Sequence, residues 1–71
     1  MVEFKIKVHK QQRLAYIPKE ITECLGFEYK AVANRVALLL YPTNAKLEDV
    51  LKSLKLIEAD LKHAQKMQKV N

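Results

Sequence analysis

Glycine is almost missing from this 71-residue chain, with Gly26 the only one. A glycine-rich phosphate loop is therefore excluded, because such loops need several residues without a Cβ. Cysteine is equally scarce. Cys24 stands alone, so no intramolecular disulfide can form, and without a Cys/His cluster at zinc spacing no structural metal is expected. Long apolar runs are absent too: VALLLY at 36–41 is far short of the roughly 20 residues that cross a bilayer, so no membrane partner is expected. The stretch MVEFKIKVHK alternates polar with apolar and has no continuous apolar core, so it does not read as a signal peptide. A lone thiol without an export signal leads to the expectation of a cytoplasmic location. No Ser or Cys nucleophile has a base nearby, and the one close acidic pair, Glu20 and Glu23, reads as charge at a helix start. An enzyme is not expected, nor a cofactor. No internal repeat or low-complexity tract is evident.

What the chain does have is positive charge. Thirteen Lys and Arg face eight Asp and Glu, for a net charge of +5 and a pI near 9.5. That balance favours polyanions as partners without identifying one. Size adds a second constraint. In a chain this short, apolar burial minus roughly 1.5 kcal/mol of ordering entropy per residue comes out near zero, so a staple is needed. With disulfide and metal excluded, a second copy of the chain is the staple that remains.

Along the chain the apolar period changes. Phe4, Ile6 and Val8 alternate with Glu3, Lys5, Lys7 and His9, the two-residue period of a half-buried strand with a cationic outer face. KQQR makes a polar turn, and LAYI reads as the returning strand, closing a first hairpin over about residues 3–17. Pro18 lacks the N–H of a central strand but suits the first position of a helix. Ile21, Cys24 and Leu25 then share one helical face, and Gly26 supplies a left-handed C-terminal cap. Cys24 reads as a core residue of that face rather than a nucleophile.

A second hairpin follows, with FEYKAV and RVALLLYP as strands and a tight turn around Asn34, which tolerates positive φ. Residues 36–41 do not alternate. A strand apolar on both faces asks for cover on both, which again points to a second subunit. From Thr43 the period becomes helical: Leu47, Val50, Leu54, Ile57, Leu61 and Ala64 form an a/d seam over nearly three heptads. Beyond Ala64 the seam fails at Gln68, and fraying of the last turns is expected. The chain thus divides into 1–42 and a helical tail, 43–71. Leu47, Val50, Leu54, Ile57 and Leu61 are the candidate oligomerisation residues.

The order of hairpin, IPKEI, glycine and hairpin resembles the swapped-hairpin AbrB-like (SpoVT-AbrB) family. The resemblance rests on YIPKEITECLGF at 16–27 and LLLYP at 38–42, and covers roughly residues 3–42. It implies a mostly β fold with a C-terminal helix: a homodimeric β-barrel to which each chain gives two hairpins, a short helix between them, and a long amphipathic helix after them. It also implies duplex DNA as the partner, met by basic side chains near the first hairpin and the helix start. Family members act as transcriptional regulators, as chromosomal proteins of the nucleoid, or as antitoxins whose C-terminal tail binds a toxin protein. The chain departs from the family pattern in having Arg13 in the first turn where glycine is usual, Thr22 and Glu23 where basic residues follow PKEI, and no GD before the third strand. The first hairpin is left to carry more of the contact.

The candidate DNA-binding residues are accordingly Lys5, Lys7, His9, Lys10 and Arg13, with Lys19 from the matched motif and Arg35 beyond it. Alternation puts Lys5, Lys7 and His9 on one outer face, and a two-fold axis would double it into a cationic band. Arg13 can meet a guanine edge or a phosphate bidentately, and Gln11 and Gln12 can pair with adenine. The plainer readings stand beside these. Lysines on an outer strand face are often solvated residues that block aggregation. His9 and His63 read as surface residues, and Tyr16, Tyr29 and Tyr41 as barrel and rim packing. The leucine seam serves pairing of dimers into tetramers, packing on the barrel, or a toxin.

Overall fold

A computed structural model describes residues 2–69, for Lys69 the backbone alone. Val70 and Asn71, the end of the expected helical tail, lie outside that range. The elements in order are α1 (Lys19–Leu25), β1 (Tyr29–Ala33), β2 (Leu38–Pro42) and α2 (Leu47–Lys69). Two helices of 7 and 23 residues outweigh two strands of 5, so helix predominates where a mostly β chain was expected.

The first hairpin forms only at its tip. His9 N–H donates to the Leu14 carbonyl at 2.8 Å, Arg13 N–H donates to the His9 carbonyl at 2.7 Å, and Val8 bridges Ala15. Pairing stops there, and residues 2–7 have no strand partner among the described residues. The two-residue period predicts which faces a strand would show, but it supplies no neighbour. An isolated two-stranded ribbon is marginal in water at best.

Pro18 does not occupy the first helical position. At φ −53° and ψ 141° it remains extended and caps α1, its carbonyl accepting from Ile21 N–H at 3.0 Å and Thr22 N–H at 3.4 Å. Proline fixes φ but leaves ψ free, which permits this. The face of α1 is also different: Ile21 and Thr22 are half-buried, whereas Cys24 is exposed rather than core. Gly26 ends the helix at φ 92° with ψ −161°, beyond the left-handed well, in a region open in practice only to glycine. Its N–H reaches the Thr22 carbonyl at 2.9 Å.

The second hairpin is fully zipped, antiparallel, with Lys30 opposite Tyr41 and Val32 opposite Leu39. Asn34 does shape its turn, though not by positive φ. Its Oδ1 accepts from the N–H groups of Val36 and Ala37, both at 2.9 Å, an Asx arrangement that holds Arg35 and Val36 at the tip. Val36 is thus 94% exposed in the turn, and the strand begins only at Leu38.

Thr43 and Asn44 form a turn, so α2 starts four residues later than the period suggested. The Lys46 carbonyl takes its first bonds, from Asp49 and Val50. The far end does not fray within the described residues: α2 is helical through Lys69 even where the apolar seam has failed. Lys, Gln, Ala and Met are good helix formers, and propensity carries these turns.

No side chain among the described residues is buried. The accessible surface is 7217 Å², against about 4,500 Å² for a compact protein of this mass. The radius of gyration, 14.1 Å, also exceeds the roughly 11 Å of a compact chain of this length. Leu39, Pro42, Ala45, Val50 and Leu54 are half-buried around an open apolar groove of about 270 Å³ between β2 and α2, which is the nearest thing to a core.

Candidate nucleic-acid interface

The hairpin tip brings five polar side chains together. Lys10, Gln11 and Gln12 form the turn, His9 precedes it, and Arg13 closes it. The bonds from His9 and Arg13 cross the base of this loop and hold the four residues 10–13 in a bulge facing solvent. A shallow concavity is lined by His9, Lys10, Gln11 and Gln12.

Arg13 has φ 57°, making it the one non-glycine residue with positive φ among the described residues. A left-handed residue with a Cβ costs roughly 1–2 kcal/mol relative to the right-handed form. Glycine would meet the geometry freely. The arginine keeps a cationic fork at the apex instead, and sparsely populated backbone conformations of this kind cluster at functional sites. The sequence places Arg13 in the turn but gives no sign of its backbone state.

Lys5 and Lys7 are exposed along the unpaired segment that leads to the tip. Lys19 and Arg35 belong to other elements, the first residue of α1 and the second hairpin's turn. His9, Lys10 and Arg13 are therefore united by local backbone bonds, while Lys5 and Lys7 adjoin them along the chain and Lys19 and Arg35 do not share the loop. Among the tyrosines, Tyr16 is 88% exposed, whereas Tyr29 is half-buried and donates its hydroxyl proton to the Gly26 carbonyl at 2.5 Å. Tyr41 is half-buried on β2.

Among the described residues no group of His, Cys, Asp or Glu is arranged to hold a metal, and no helix is long and apolar enough to cross a membrane. The five seam residues of α2 split: Val50 and Leu54 are half-buried beside the groove, while Leu47, Ile57 and Leu61 remain exposed. No family model, curated protein or solved structure matches this chain.

Proposed function

We propose that this chain is an AbrB-type DNA-binding protein, a transcriptional regulator that grips duplex DNA as a homodimer through the basic first hairpin. The observation that carries the DNA reading is the closed loop of residues 10–13, which presents Lys10 and Arg13 together at an exposed apex with Lys5, Lys7 and His9 behind them. Guanidinium and ammonium groups at a protruding turn suit phosphate contact, and the arginine fork suits a guanine edge.

Support for the homodimer comes from surface. The chain exposes about 2,700 Å² more than a compact protein of its mass, several times the roughly 800 Å² each partner gives to a standard interface. Phe4, Ile6, Leu38 and Leu40 are among the apolar side chains that a second copy would cover.

The test is a salt titration of binding to random and promoter-proximal duplexes. Affinity should fall linearly on logarithmic axes, and the triple variant Lys7→Ala, Lys10→Ala, Arg13→Ala should lose roughly 2–3 units of slope for each protomer in contact and at least about tenfold in affinity. A folded triple variant with unaltered affinity would reject the hairpin face. A preference for the promoter-proximal duplex separates regulator from sequence-tolerant chromosomal protein. The exposed Leu47, Leu51 and Leu61 favour a second role for α2, as the handle by which dimers pair or a toxin is held. A stable α2 that self-associates supports the first; ordering only on toxin addition supports the second.

A further inference from the structure

Charge on α2 is sorted by face. At about 100° per residue, Lys52, Lys55, Lys62 and Lys66 fall within an arc of roughly 80°, and all four are exposed. The apolar seam through Val50, Leu54 and Leu61 is centred some 130° away, so whatever covers the seam leaves the lysines outside. Asp49 and Asp60 lie beyond the seam's opposite edge. Glu48 shares the angle of the arc at its N-terminal end, one turn before Lys52, and Glu58 borders the arc, while Ala59 sits near its middle.

The lysines come as two pairs. Lys52 with Lys55 and Lys62 with Lys66 have midpoints about 16 Å apart along the axis, at about 1.5 Å rise per residue. That is the scale on which phosphate ridges flank a major groove about 12 Å wide. The small Ala59 leaves the centre of the arc low, so a helix laid across the groove can set one pair on each ridge.

We infer that α2 carries a second phosphate-contacting face, formed by Lys52, Lys55, Lys62 and Lys66 and separate from the hairpin tip. The inference rests on the DNA-binding reading and extends it to a residue set that the apolar period of the helix conceals. An anionic bilayer fits less well. A helix lying in a membrane surface inserts its apolar face and brings both flanks to the headgroups, and here one flank carries Asp49 and Asp60. The lysine arc alone turns toward a partner only when that partner approaches from one side, as a duplex does.

The test uses the full chain with Lys52→Gln, Lys55→Gln, Lys62→Gln and Lys66→Gln together, since glutamine keeps helix propensity while removing charge. The slope of log affinity against log salt on a 30-base-pair duplex should become shallower by about 3 for each protomer in contact, and affinity near 0.15 M salt should drop at least roughly 100-fold. Each pair variant, K52Q/K55Q and K62Q/K66Q, should show about half the slope change, which keeps the test decisive if the quadruple variant fails to fold. The single variant Lys46→Gln, off the arc, should leave the slope unchanged. Slopes within 0.5 of wild type in folded pair variants overturn the second face while leaving the hairpin reading intact. Loss of DNA binding in the α2 variants with none in the hairpin triple variant upholds the helix face and removes the hairpin one. A wild-type protein without salt-dependent DNA affinity overturns both. Binding to vesicles of three parts phosphatidylcholine to one part phosphatidylserine, lost on removing the lysines while DNA slopes stay constant, overturns the inference in favour of a membrane.

Discussion

Two hairpins of similar length have different fates in this molecule. The one over residues 29–42 pairs along all of β1 and β2; the one over residues 3–17 closes at its tip and then parts. Turn chemistry does not separate them, since both loops are closed by well-formed hydrogen bonds of 2.7–3.0 Å. Support does. Leu39, Tyr41 and Pro42 of β2 line the groove beside Val50 and Leu54 of α2, whereas Phe4 and Ile6 remain 40% and 42% exposed on a segment that belongs to no strand or helix. A loop nucleates a ribbon, and a surface to bury against propagates it.

The largest effect should come from denying the first hairpin its missing surface. Ile6→Asp places a charge where the homodimer reading puts a covered apolar side chain, at a cost of about 3 kcal/mol or more. Sedimentation should then report an 8.2 kDa species at concentrations where wild type is heavier. If both proteins sediment alike, the segment does not complete itself on a second copy. Next, Leu39→Ala removes the support of the zipped hairpin, and amide exchange across β1 and β2 should report a loss of about 1–2 kcal/mol, less than the roughly 2–5 kcal/mol of a core leucine because Leu39 is half-buried. Protection that holds would mean the turn alone sustains the ribbon. Asn34→Ala, which strips the Oδ1 acceptor from Val36 and Ala37, should cost about 1 kcal/mol by urea unfolding. Smallest, Arg13→Gly should stabilise by about 0.5 kcal/mol, because relief of the left-handed backbone exceeds the added freedom of the unfolded chain. The same variant should bind DNA more weakly, so that its midpoint rises while its affinity falls.

Much of this architecture is legible in the residues, in proportion to how local its cause is. Gly26 announces the helix end, Asn34 the second turn, and the spacing from Leu47 to Ala64 the long helix, because each acts within a few residues of itself. The misplacements follow the same logic. The alternation of Phe4, Ile6 and Val8 describes faces but not partners, so strands expected from it stay unpaired in the lone chain. Cys24 has the right spacing for a core face, yet a seven-residue helix turned by Ile21 and Thr22 leaves it outside. The candidate site is legible as a set of residue types around the KQQR turn. Arg13's backbone is not, since only the loop's closing bonds dictate it.

The lack of any sealed interior among the described residues has a thermodynamic corollary. If closure is supplied by association, folding and assembly are one equilibrium, and mass action governs both. Melting temperature should then climb with protein concentration, and dilution by itself should act as a denaturant. A regulator built this way would lose its shape and its grip on DNA together as its cellular abundance falls.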